Sequence, residues 1–127
     1  MNIVIVFELN EMPMPRYVIL QHDWNGVHYD LMMEQGAVLK TWRLASLIQP
    51  GIQEAIRISD HRLDYLTYEG PVSRDRGKVC RVAEGRYEAA LATEQCWKIE
   101  LQGTFQGTIT LQQEAADRWQ LEWQPLL

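Results

Sequence analysis

No apolar run in this chain approaches the roughly 20 residues needed to cross a bilayer. The hydrophobic segment Ile3-Val4-Ile5-Val6-Phe7 stops at Glu8, and it lacks the basic flank and small-residue cleavage site of a signal peptide. The expected address is the cytoplasm, and no membrane partner is expected. Cysteine is nearly absent: Cys80 and Cys96 stand alone, without the close Cys-x-x-Cys spacing of zinc or redox motifs. They are expected to be reduced, buried thiols with no chemical role. A basic excess is also missing, since 12 Lys and Arg face 17 Asp and Glu for a net charge of −5. Non-specific nucleic-acid binders draw most of their affinity from neutralising phosphates, so that class is disfavoured. The one basic cluster is Arg74, Arg76, Lys78 and Arg81 around Gly77. There are no internal repeats, no low-complexity tracts and little helix-period patterning.

What the chain has is strand-like alternation. With 127 residues, 46% of them hydrophobic, it is long enough for one domain with a real core. Alternating runs bounded by Gly, Pro, Asp or Asn predict strands near 3–9, 16–22, 27–34, 37–44, 55–60, 78–83, 86–92, 96–102, 105–112 and 117–123. Hairpin turns are expected at Glu34-Gln35-Gly36-Ala37, Ala83-Glu84-Gly85-Arg86 and Gln102-Gly103-Thr104. Short strands with short turns argue for a mainly β fold, a small antiparallel barrel of about eight strands. Helix is expected only around Leu47 to Glu54 and at Leu63-Asp64-Tyr65-Leu66. Met12-Pro13-Met14-Pro15 breaks the first run from the rest, so residues 1–14 read as an extension or edge strand and 15–127 as the barrel domain. Trp42, Trp97, Trp119 and Trp123 are expected in the core, where large aromatics supply much of a small barrel's buried area. Trp24, in a turn, is free to cover that turn or to stack on a base.

That turn also separates the most informative residues. His28 and Asp30 share one face of a strand because side chains two apart point the same way. His22 ends the preceding run, and a hairpin across Asp23 to Gly26 would return it beside both. Two imidazoles and a carboxylate suit a borderline divalent ion and leave coordination positions open, as in catalytic sites. Structural histidines at strand ends show the same spacing, so the pattern alone leaves both roles open. The third histidine, His61, follows another alternating run.

Taken together, the segments Arg16-Tyr17-Val18, His22-Asp23, His28-Tyr29-Asp30, Glu34, Val38-Leu39-Lys40-Thr41-Trp42 and Asp60-His61-Arg62-Leu63-Asp64-Tyr65, leading to Glu69-Gly70, carry a resemblance. With the downstream Gly85-Arg86-Tyr87 and Ile99-x-Leu101-x-Gly103-x-x-x-Gly107-x-x-x-Leu111, they resemble the 3′-phosphoesterase domain of bacterial DNA ligase D over about residues 15–124. The resemblance implies a small β-barrel with short flanking helices and a manganese-dependent activity, with zinc or another transition metal as alternatives. That activity removes a terminal ribonucleoside and then the 3′-phosphate from a DNA or DNA-RNA 3′ end, in non-homologous end joining beside a ligase or polymerase. By match of position it implies His22, His28 and Asp30 as metal ligands, His61 as the phosphate-contacting residue and Tyr65 as a catalytic-site tyrosine. These ligands are expected at the open mouth of the barrel.

Three basic features of the family pattern differ here. Met32 stands for an arginine, Ala45-Ser46-Leu47 for Pro-Lys-Gly, and Gln53 for a second arginine. Because phosphoryl transfer depends on fixed positive charge, reduced catalysis is expected, and the alternative is a module that binds nucleic-acid ends or protein. Arg57, alternating with Ser59 and His61, is the expected replacement cation, with Arg43 and the Arg74–Arg76 loop as other sources.

Overall fold

The computed structural model describes residues 14–127. The first predicted run, residues 3–9, and nearly all of the proposed extension lie outside them. Nine strands form one antiparallel sheet: β1 (Arg16–Asp23), β2 (Val27–Gln35), β3 (Val38–Leu44), β4 (Gly51–Arg62), β5 (Gly70–Pro71), β6 (Lys78–Ala92), β7 (Cys96–Leu101), β8 (Gly107–Ala115) and β9 (Arg118–Pro125). The order β1-β2-β3-β4-β9-β8-β7-β6 closes through a β1–β6 pairing into a ring of eight, with β5 added beside β6. The fold is therefore mainly β. The only helical element among the described residues is a 3-10 turn at Leu63–Leu66.

Closure follows from two long strands that each serve two neighbours. β4 pairs with β9 along its first half and β3 along its second, while β6 passes from β1 to β7. The hairpin turn expected at Ala83–Arg86 is thus absent, because β6 runs straight through it. Gly85 sits where that strand changes partner, and a Cβ there would fall 1.9 Å from the Gln102 carbonyl oxygen. Glycine here permits a close approach of two backbones rather than a reversal. The expected helix from Leu47 to Glu54 is also absent. Pro50 interrupts it, Gly51 takes φ 102°, and β4 starts at once. Ile48 is nonetheless buried in the main core.

Period-2 alternation sorts the side chains onto two faces. Tyr17, Ile19, Leu31, Met33, Trp42, Ile99, Leu111, Trp119 and Leu121 fill the barrel interior. The indoles of Trp97 and Trp119 each pack edge-on against Trp42, at 5.3 and 5.4 Å. All four tryptophans expected inside are buried. The opposite faces of β1, β2 and β3 present Val18, Leu20, Met32 and Leu39 to a second, smaller core. Leu63, Tyr65 and Leu66 from the 3-10 turn, with Val72 and Val79, cover that outer wall. Cys80 lies beyond buried Val79 and is exposed, and Cys96 is half-buried, so neither is the buried thiol expected.

Candidate functional site

The β1–β2 hairpin brings the three proposed ligands together. Register pairs His22 directly with His28 across the strands and Leu20 with Asp30. One ligand atom from each of His22, His28 and Asp30 lies within 4.8 Å of the others. All three side chains share the outer face with Leu20 and Met32, so the cluster sits on the barrel wall, under the 63–79 cover. The mouth of the barrel, expected to hold them, does not.

The hydrogen bonds fix which atoms face the centre. His22 Nε2 lies 2.7 Å from the Arg76 carbonyl oxygen. A carbonyl only accepts, so His22 carries its proton on Nε2 and keeps the Nδ1 lone pair for the centre. His28 Nε2 is 3.0 Å from that Nδ1 and 3.9 Å from Asp30 Oδ2. Around a transition metal with bonds of about 2.1 Å, ligand atoms stand roughly 3.0 Å apart at a right angle and about 3.4 Å at the tetrahedral angle. The donor set suits one divalent ion and the 3.0 Å pair matches a right angle, whereas 3.9 Å is wider than the tetrahedral spacing, so Asp30 would draw inward on binding; the Arg76 carbonyl supplies the outer hydrogen bond typical of a metal-bound histidine.

Asp30 is held from the other side. Its side chain is only 3% exposed, and Arg43 grips both carboxylate oxygens, Nε to Oδ1 at 3.0 Å and Nη2 to Oδ2 at 3.3 Å. Register makes Arg43 the direct cross-strand partner of Asp30. Desolvation lowers the pKa of His28 from its ordinary value, Arg43 and His22 push the same way, and Asp30 opposes them. The imidazole is thereby kept neutral, as a metal ligand must be.

A cavity of about 290 Å³ opens over this cluster, bounded among others by His22, Asp30, Arg43, His61, Tyr65 and Arg76. His61 reaches it from β4. Its Nδ1 donates to the Ser59 carbonyl at 3.0 Å, which leaves Nε2 without its proton. Burial depresses its pKa, with Asp30 and the Ser59 hydrogen bond opposing. Tyr65 packs edge-on against the His61 ring at 5.5 Å.

Arg57 does not join them. Opposite Leu39-Lys40-Thr41, β4 carries one extra residue, because Thr41 pairs with Ile58 and Leu39 with His61. This bulge breaks the parity on which the Arg57-Ser59-His61 alternation depended. Arg57 instead pairs with Trp42, lays its guanidinium 4.6 Å from that ring's centre and bonds Asp60 at 3.1 Å. Gln53 also lies away from the cavity, its amide donating to the Ser46 carbonyl. Of the basic cluster, Arg76 reaches the cavity, whereas Arg81 bonds Glu84 and the Leu66 carbonyl. Arg43 brings its guanidinium to the cavity, whereas Arg76 borders it with its carbonyl on His22 and its guanidinium bound to Ser73. Counting back from the Gly36-Ala37 turn aligns residue 43 with residue 30, so the Arg43–Asp30 pairing was available from the sequence.

Residues 20–121 match the model of the DNA Ligase D 3′-phosphoesterase domain. The chain belongs to this family. Over 60 residues it is also 33% identical to the multifunctional non-homologous end joining protein LigD of Pseudomonas aeruginosa. That stretch covers 45% of this chain and 7% of the relative, so the chain corresponds to a small part of a much larger protein. The family match runs from the end of β1 into β9 and includes every residue of the cavity named above.

Proposed function

We propose that this chain is a divalent-metal-dependent phosphoesterase that trims the 3′ ends of DNA during break repair, removing a terminal ribonucleoside and then the 3′-phosphate. Manganese is the leading metal, with zinc or another transition metal as alternatives, and a separate ligase or polymerase would use the cleaned end. The observation that carries the reading is the convergence of His22 Nδ1, His28 Nε2 and Asp30 beside a cavity bounded by His22, Asp30, Arg43 and His61.

His22, His28 and Asp30 would hold the ion. When bound, it supplies Lewis-acid polarisation of the phosphoryl oxygen and acidifies a water. The remaining work falls to the chain. Arg76 fixes the His22 tautomer through its carbonyl, and Arg43 fixes the Asp30 rotamer. The Arg43 guanidinium sets positive charge beside the cluster, pre-oriented by its two bonds to Asp30. His61 presents an unprotonated Nε2, which suits it to take the proton of the attacking water. As the new O–P bond forms and the bond from phosphorus to the leaving nucleoside oxygen breaks, that proton can pass to the leaving oxygen. Tyr65 orients the His61 ring.

One observation favours a second reading. Arg43 engages both Asp30 oxygens, and Met32 fills the place of a family arginine, an arrangement that also suits end binding without turnover. Incubation with manganese and a primer-template ending in one ribonucleotide separates the two. Shortening by that nucleoside supports the enzyme, and retention of the primer without cleavage supports the binding module.

A further inference from the structure

One wall of the cavity plays no part in handling phosphate. Trp24 borders the same space as His22, Asp30 and Arg76, yet it is 39% exposed while the chain's other four tryptophans are buried. An indole left in water forfeits a large apolar burial, so its placement at the rim of this cavity calls for a partner. It is also held in place. The Trp24 backbone N–H donates to the Gly26 carbonyl at 2.9 Å, which fixes the turn that carries the indole, and that turn takes positive φ at Asn25 and Gly26. One side is backed by the His22 ring, with centroids 5.9 Å apart and planes inclined by 23°. Behind it Gly77 approaches so closely that a Cβ there would fall 2.8 Å from the Trp24 Cβ. The indole is thus a plane on a fixed turn, backed by His22 and set beside a candidate metal cluster.

We propose that Trp24 is a stacking platform for the base of the terminal nucleoside, so that the site reads a nucleoside joined to phosphate rather than phosphate alone. The phosphate half rests on the reading given above, whereas the base contact rests on Trp24 itself. Stacking on an indole tolerates any base, as a site acting on arbitrary ends requires. At about 290 Å³ the cavity is near the lower end of small-molecule pockets, the scale of one terminal group rather than a duplex.

The test titrates the full chain, with magnesium present, with adenosine 5′-monophosphate and with ribose 5-phosphate, following the indole N–H resonances by NMR. Trp24 is assigned from the signal lost in Trp24→Phe, and melting curves show that each variant is folded. The nucleotide should bind about 5- to 100-fold more tightly than the sugar phosphate and should move the Trp24 resonance. Trp24→Ala should bring the nucleotide down to the affinity of ribose 5-phosphate and leave the latter unchanged, while Trp24→Phe keeps part of the preference. Equal affinities in the wild type, binding of neither ligand, or equal weakening of both in Trp24→Ala would overturn the proposal. Primer trimming scored separately keeps the two ideas apart. Trimming with equal affinities removes the Trp24 platform alone, and a nucleotide preference without trimming supports the platform while removing the catalytic reading.

Discussion

Replacing Arg43 by glutamine tests how Asp30 is held. The carboxylate is almost fully buried, and its two hydrogen bonds at 3.0 and 3.3 Å come from one guanidinium. Removing one partner of a fully buried ion pair costs about 3–5 kcal/mol, and a hydrogen bond to a charged group contributes about 1.5–3 kcal/mol. Arg43 is itself 34% exposed, so solvent already screens the pair and water can replace part of it. The lower end, about 2 kcal/mol, is therefore expected in metal-free protein. For a domain of this size that is a fall in Tm of roughly 6–10 °C. Saturating manganese should reverse much of the loss, because the ion supplies the missing positive charge and no longer faces a guanidinium on the same carboxylate. Arg43→Gln should therefore bind the metal more tightly than the wild type. The assay is thermal melting with chelator and with manganese, joined to calorimetric titration. An equal Tm gap under both conditions, or weaker metal binding by the variant, would refute the reasoning.

Further outcomes follow from the same geometry. His28→Ala should lose metal binding by calorimetry while keeping its cooperative melt, since His28 is only half-buried and lies outside both hydrophobic cores; unchanged affinity would remove it from the ligand set. Met32 packs with Val18, Leu20 and Leu39 and also lies along the cavity wall, so Met32→Arg should cost about 2 kcal/mol or more of stability in metal-free protein; urea unfolding checks this, and unchanged stability would mean that the guanidinium reaches the cavity. Both His28 and His61 have folded pKa values below their ordinary 6.5, so each favours the folded state when neutral. That contribution is complete above the unfolded value and shrinks as pH falls below about 6.5. Unfolding free energy in metal-free protein should thus decline from pH 7.5 to pH 5, and His61→Gln should show a shallower decline; identical slopes would contradict the burial of His61.

The barrel was legible because its walls obey period 2: every strand predicted from 16 onward has a counterpart, and the four core tryptophans follow parity. The errors fall where a local residue has two structural uses. Gly85 signals a turn in sequence, yet here it lets two backbones approach within a continuous strand. The segment from Leu47 has helical composition, but Pro50 and Gly51 end any helix before it forms. Within the site, His22, His28 and Asp30 were readable because a short hairpin leaves little freedom of register. Arg57 was misread for the converse reason: one inserted residue in β4 reverses the faces of everything before it, and nothing in Arg57-Ile58-Ser59-Asp60-His61 marks the insertion. The same logic explains why the site could be found but not located. Alternation says that His28, Asp30 and Met32 share a face without saying which face is the interior, and only the fit of Leu63, Leu66 and Val79 over Leu20 and Leu39 decides it. A second small core on the outer wall lets a chain of this size bury ligand-bearing side chains without opening its main core to water. The cover that completes that core also carries Tyr65 to the cavity and the Arg76 carbonyl to His22, so stability of the cover and assembly of the site are one requirement.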